Sequence, residues 1–291
     1  MYRVIDDDYK LMDLISYLKK EKISKLYIDI EAENNFHAYG ISLSLLQISD
    51  GRSIWVIDCM KISEPSLLIR ILEGEDFIKI MFDSSGDQIV FDTSLGIKAK
   101  PIIDLKLGFD ILGVRESLSK LIKKYDDTPI KSCQKSNWSR RPLSDKQIKY
   151  AAFDVKYLKD LANDMYRKLY EAGKIEEFIH RNHVITNKIR KVNPYLGYKK
   201  LLQSNRVSRK KECFLRSIWI AREKLAKETN IVPNNILSKY QIEYITRNYI
   251  DLDLETIDML FKKWKKKYDS KRFLLIYEAI KDLDWEAENI F

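Results

Sequence analysis

The sequence predicts an α/β fold, a mixed sheet flanked by helices, followed by a small all-α domain. Three observations carry this. Short apolar runs alternate with amphipathic helical segments through residues 1–178, the pattern of a sheet covered by helices. Two of those runs, Ile41 to Ser49 and Ser53 to Asp58, are joined by Asp50-Gly51, a hairpin signal that puts antiparallel strands into the sheet. From Arg206 onward the apolar spacing is helical, with no strand-like alternation.

Leu11, Leu14, Ile15 and Leu18 form one apolar stripe, which predicts a helix over residues 9–20. Leu26 to Ile30 reads as a buried strand, followed by the hairpin. Pro65 suits the first turn of a helix over 64–73. Phe77 to Phe82 is a further strand. A helix from Asp87 to Leu95 is stopped by Gly96. Pro101 to Leu105 is short and extended, 116–125 is helical, and 126–143 is polar and irregular. Ser144 followed by Gln147 gives the capping signature for a long helix running to Glu171. Gly173 closes the first domain at 178. A basic helical connector over 179–205 is broken by Asn193-Pro194, and helices are expected at 208–228, 237–248, 254–268 and 271–284 in a domain over 206–291.

With 291 residues, 45% of them hydrophobic, the chain can bury a large core and a smaller second one. No run of about 18 uncharged apolar residues is present, so no membrane span is expected. The acidic start, Met1 to Asp8, is unlike a secretory signal. Cys59, Cys133 and Cys213 stand far apart with no CxxC pair, which argues against a disulfide framework and points to a reducing cytoplasm. A monomer is expected. The net charge of +9 is unevenly placed: residues 1–180 hold 28 basic against 29 acidic residues, and 181–291 hold 24 against 14. A basic module joined to a near-neutral one suits a grip on a polyanion, although a solvated Lys-rich surface would give the same count.

Asp29 and Glu31 are alternate residues on one strand, so both point to the same face while Ile28 and Ile30 point to the other. Two acids so placed repel each other and resist burial, and a divalent cation relieves both costs. Tyr150 and Asp154 share a helix face at i and i+4, with the small Ala151-Ala152 between them. A phenol beside such a carboxylate can orient an attacking water. Together with Asp87, these residues suit a site holding two divalent metals over a phosphodiester. Hard oxygen donors favour Mg²⁺ or Mn²⁺ over zinc. Each pair alone could be an ordinary solvated acid pair; the ordered set is what carries the reading.

In these motifs the chain resembles the DEDDy 3′→5′ exonucleases of the ribonuclease D group. DIEAENNFHAYGISLSLLQIS (29–49), FDSSGDQIVF (82–91) and NWSRRPLSDKQIKYAAFDVKYLKDL (137–161) carry the resemblance, the third through W-x-x-RPL and YAAxDVxYL. The resemblance implies a ribonuclease H-like sheet and metal-assisted hydrolysis of RNA 3′ ends to nucleoside 5′-monophosphates, with tRNA precursors among the substrates; the alternatives are a 3′→5′ exonuclease on DNA and a scaffold that binds RNA without cutting it. It implies that Asp29, Glu31 and Asp154 hold the cation that activates water. Asp29 and Asp87 would hold the one near the leaving oxygen, and Tyr150 would position the nucleophile. Three departures stand out. Phe82-Asp83 replaces His then Ala or Gly, Asn137 replaces an acid before the Trp, and Ala32 replaces a Phe that wedges against the terminal base.

SIWIAREKLAKETNIVPNNILS (217–238) is similar to the start of an HRDC domain, a helical nucleic-acid-handling module. On that resemblance and the charge, Arg206, Arg209, Lys210, Lys211, Arg222 and the run containing Lys262, Lys263 and Lys265 are candidate phosphate contacts. Trp264 is a candidate for base stacking or for anchoring its own helix. Asp104 is expected to make local hydrogen bonds only.

Overall fold

The computed structural model describes residues 2–128, 133–188, 191–202 and 208–247. They fall into two compact units. Residues 2–33 and 41–192 make the first, and Asn34–Gly40 joins the described residues from Asn193 onward in the second.

In the first unit, β1 (Tyr2–Ile5) precedes α1 (Asp8–Lys20), whose N-cap Asp7 accepts the Lys10 N–H at 2.8 Å. β2 (Lys25–Asn34), β3 (Ile41–Ser49) and β4 (Ile54–Asp58) follow. Next come α2 (Pro65–Leu72), β5 (Ile78–Met81) and α3 (Ser84–Leu95), the last ended by Gly96 at φ +69°. β6 (Ile102–Asp104) runs straight into α4 (Leu105–Ile111), followed by α5 (Leu118–Ile122). α6 (Asp145–Lys156), α7 (Leu158–Glu171) and α8 (Ile175–Asn187) complete the unit. The second unit holds α9 (Lys199–Leu202), α10 (Arg209–Thr229), α11 (Pro233–Ile236) and α12 (Lys239–Arg247).

The six strands order as β1-β4-β3-β2-β5-β6. β3 and β4 pair antiparallel, while β1 with β4, β2 with β5 and β5 with β6 pair parallel. Both faces are covered. Leu26, Ile28 and Ile30 of β2 join an apolar cluster with α1, α2 and α3 through Leu11, Leu18, Ile71 and Phe91. Tyr27 of β2 joins a second cluster with Leu105, Val155, Leu158 and Met165. The alternation therefore directs Asp29 and Glu31 to the Tyr27 side, toward α6 and α7. Ala32 packs against the first cluster, on the face opposite the acids.

Four differences from the sequence expectation have physical reasons. β1 falls in the acidic start, where the sequence predicts no strand, and only Ile5 of its four residues is buried. α4 follows the extended run that ends at Leu105, over residues where the sequence predicts no element, because Leu105, Leu107, Phe109 and Ile111 alternate without a helical stripe. The helix expected to run from Ser144 to Glu171 is two helices, α6 and α7, divided at Tyr157. Tyr157 is turned out to donate its hydroxyl to Asp126 and to stack on Tyr125. α8 runs across the boundary expected at 178, and packs Phe178 into the second cluster.

The second unit has its own core of Tyr198, Phe214, Leu215, Ile218, Trp219, Leu237, Ile242 and Ile245. Trp219 donates its indole N–H to the Pro194 carbonyl at 2.8 Å, so the Asn193-Pro194 break is an anchor point. The helices expected at 254–268 and 271–284 lie outside the described residues. Among the described residues no helix is long and apolar enough to cross a membrane, and Cys59, Cys133 and Cys213 are unbridged.

Candidate active site

Asp29 and Glu31 stand midway along β2, just past the level at which its parallel partner β5 ends and gives way to α3. Open α/β sheets place their sites at such strand ends. α3 begins at Ser84, so Asp87 is in its first turn. α6 starts at Ser144 with a complete capping box: Gln147 N–H donates to Ser144 Oγ at 3.3 Å, and Ser144 N–H donates to Gln147 Oε1 at 3.1 Å. That fixed start sets Tyr150 and Asp154 one turn apart on one face, and Tyr150 donates its hydroxyl to Asp154.

The four acids are brought within reach of one another's charge. Loss of water pushes Glu31 up to about 10, and the negative charges of Asp29, Asp154 and Asp87 add to that. Burial raises Asp29 to about 7. Asp154 is raised to about 8 by burial and by Asp29, against the opposing hydrogen bond from Tyr150. Asp87 is raised well above the usual carboxylate range by burial, then by Asp29, Asp104 and Asp83. Glu31 is 9% exposed, while Asp29, Asp87, Asp154 and Tyr150 are half-buried and remain open to an incoming group. The acids are gathered without being closed round one point, since no three His, Cys, Asp or Glu side chains of the described residues are drawn up as ligands. Their chemistry still fits a hard divalent cation. The donors are all carboxylate oxygens, and positive charge offsets the mutual repulsion that raises them.

This electrostatic frustration has a pH signature. A carboxylate whose proton affinity is higher folded than unfolded contributes its stability below the unfolded pKa and loses it as pH rises through the folded value. For Asp29, Asp154 and Glu31 that loss starts above the ordinary carboxylate range and is complete at about 7, about 8 and about 10. The thermal midpoint of chelator-treated protein is expected to fall between pH 6 and pH 9. Added Mn²⁺ is expected to raise it more at pH 9 than at pH 6, because ligands must lose protons to bind. A midpoint gain equal at both pH values would contradict this.

Two side chains outside the expected set hold the site in place. Arg141 makes a two-pronged pair with Asp58, Nε to Oδ2 and Nη2 to Oδ1 both at 2.6 Å, and donates Nη1 to the Trp138 carbonyl at 2.6 Å. Trp138 is buried with its ring 6.3 Å from that of Tyr150. The W-x-x-RPL segment is thus a clamp tying the approach to α6 onto the end of β4. Buried Asp104 accepts the Asp83 N–H at 3.1 Å, both the N–H and hydroxyl of Ser84 at 2.9 Å, and the Lys106 N–H at 3.0 Å. It fixes the first turn of α3, and with it Asp87. Its hydrogen bonds are local, as expected, but they bear on the site. Asn137, the departure before the Trp, accepts the Ser139 and Arg140 N–H groups at 3.0 and 3.1 Å and shapes the same loop.

The phosphate-contact candidates fare differently. Arg222 is a correction: it is 3% exposed, lies 3.8 Å over the Trp219 ring, and is ion-paired with buried Glu223 at 2.6 Å. It is a core residue of α10 and cannot meet a phosphate. Arg209 is exposed at the start of α10, and Lys211 is half-buried with its Nζ 3.5 Å from the Arg247 carbonyl. Arg206, Lys262, Lys263, Trp264, Lys265 and the side chain of Lys210 lie outside the described residues.

A profile of the 3′-5′ exonuclease family matches residues 2–170. Ribonuclease D of Haemophilus influenzae is 31% identical over 171 residues, which is 58% of this chain and 42% of that protein. Ribonuclease D of Psychromonas ingrahamii is 25% identical over 267 residues, 89% of this chain and 70% of that protein. The chain spans about half the length of the first curated relatives it matches. Among solved structures, Escherichia coli RNase D, described as an exoribonuclease involved in structured RNA processing, superposes with a TM-score of 0.74 at 21% identity. That match covers 99% of this chain and 77% of that one. The catalytic core of RRP6 from Trypanosoma brucei gives 0.76 at 16% identity, covering 96% and 79%. At these identities the likeness is one of fold.

Proposed function

The chain belongs to the 3′-5′ exonuclease family, and from that premise we propose that it is a metal-dependent 3′→5′ exoribonuclease releasing nucleoside 5′-monophosphates from RNA 3′ ends. The observation that carries this is the gathering of Asp29, Glu31, Asp87 and Asp154, with Tyr150 bonded to Asp154. Four acids alone repel a phosphodiester, so the arrangement makes chemical sense only with positive charge added. When bound, divalent cations such as Mg²⁺ or Mn²⁺ supply a nucleophilic water and stabilise charge on the leaving oxygen. Asp29, Glu31, Asp87 and Asp154 would hold them. Tyr150, steadied by Asp154 and Trp138, orients the attacking water toward the phosphorus.

RNA is favoured over DNA because the matched relatives are ribonucleases D, and structured RNA such as tRNA precursors is the substrate class this suggests. The helical unit over α10–α12 acts as an HRDC-like module that grips RNA through exposed basic residues such as Arg209. The protein works as a cytoplasmic monomer. Parallel digestion of matched single-stranded RNA and DNA with Mg²⁺ or Mn²⁺ tests the reading. RNA should be shortened from its 3′ end with 5′-monophosphate release. Preference for DNA, or binding with no release, contradicts it.

A further inference from the structure

Beside the acids lies a cavity of about 770 Å³. Its walls come from the β5–α3 junction, α4, the α4–α5 loop and α8, all in the first unit. Lys106, Arg115 and Arg181 bring three cations to it, and Phe82 a half-buried aromatic ring. Asp83 sits at the mouth with φ +62° and ψ +49°, a left-handed conformation that Asp tolerates better than most residues. It precedes Asp87 by one helical turn, about 5.4 Å along the axis, and its charge is felt at Asp87. The cavity is thus the immediate neighbour of the candidate catalytic acids.

The lining is not simply basic. Asp110 and Glu116 also border it, and Glu116 is tied to Lys124 at 3.1 Å. Asp83 is tied to Lys106, with Nζ 2.5 Å from Oδ2 and the two side chains 54% and 40% exposed. Ion pairs this exposed contribute little to stability, so either partner can be drawn away at small cost. A carboxylate on a lysine is the same contact that a phosphate oxygen would make.

We propose that this cavity is the subsite for the nucleotide preceding the scissile bond, with Lys106 taking its phosphate and Asp83 standing in for that phosphate until RNA arrives. The inference rests on the exoribonuclease reading and adds the strand's path to it. Arriving RNA displaces the Asp83 carboxylate into water, and Phe82 offers its ring to a base. Arg115, and Arg181 ion-paired with Glu177 at 3.0 Å, add attraction only. Asp83 thereby weakens RNA binding, and Lys106 strengthens it.

The test is KM for 5′-labelled single-stranded RNA with Mn²⁺ at several salt concentrations, using the full chain. Lys106→Met should raise KM about tenfold, the size expected for loss of one charge-assisted bond. It should also flatten the salt dependence by about one unit of log–log slope. Asp83→Asn should move KM the other way, down about three- to fivefold. Lys20→Met, a distant exposed lysine at the end of α1, should keep the wild-type KM. Shifts of the same sign for Lys106→Met and Asp83→Asn, which a merely structural ion pair would give, overturn the proposal. So does an equal effect from Lys20→Met, or a wild-type KM and slope in Lys106→Met. A wild type that releases no nucleotide overturns the exonuclease reading first and the subsite with it.

Discussion

Asp29→Asn is expected to lower nucleotide release by about 10³-fold or more, at least the cost of losing one preorganised electrostatic contact at a reacting centre, and to stabilise the metal-free protein. Both effects follow from one feature. Asp29 contributes to the raised proton affinity of Glu31, Asp87 and Asp154, so it is the carboxylate common to the whole group. Removing its charge takes away an oxygen donor that the proposed cations need. It also removes repulsion that the folded state carries without them. The direction with pH is fixed. Asp29 is raised to about 7, so the wild type loses stability as pH climbs toward that value, and the Asn variant loses less. In chelator the variant should melt above the wild type at pH 8, with the gap closing toward pH 5. With Mn²⁺ the order should reverse. RNA binding, measured by anisotropy, should stay close to wild type. Equal activity in the two proteins would remove Asp29 from the chemistry.

Arg141→Ala is expected to destabilise the first unit. The guanidinium bonds both oxygens of Asp58 at 2.6 Å and the Trp138 carbonyl at 2.6 Å, and Asp58 is 4% exposed. Truncation leaves a buried carboxylate without its partner, which costs about 3 kcal/mol. For a unit of this size that lowers the melting midpoint by about 6–12 °C. The consequence for chemistry is indirect. Trp138 would no longer be held against Tyr150, and kcat should fall more than KM rises, because an orienting group is lost and no substrate contact is. Arg141→Lys keeps the charge but not the fork, and should recover part of the stability and little of kcat. An Arg141→Ala protein with the wild-type midpoint and full kcat would show that the clamp holds nothing.

What could be read from residues was whatever depended on local order. The i, i+2 acids of β2, the Ser144–Gln147 capping box and the i, i+4 pairing of Tyr150 with Asp154 are all short-range, and each occupies the element expected of it. What escaped depended on distant partners. Arg141 finds Asp58 across 83 positions, a meeting that no spacing rule reveals. The division between α6 and α7 depends on Tyr157 reaching Asp126. Arg222 misleads because resemblance and charge do not reveal burial: three residues after Trp219 on a helix, it shares that ring's buried face, where Glu223 and the Leu237 carbonyl pair its two terminal nitrogens. β1 escapes because four residues are too few for an alternating pattern to stand out.

Asp29, Glu31, Asp87 and Asp154 are proposed to take up paired divalent cations over the 3′ phosphodiester. The most direct measurement is the anomalous scattering of crystals grown with Mn²⁺ and a short RNA oligonucleotide. The expected result is two manganese peaks among these carboxylates, with the terminal phosphate between them and Tyr150. An RNA 3′ end bound elsewhere, or manganese absent from these four side chains at saturating concentration, would contradict it.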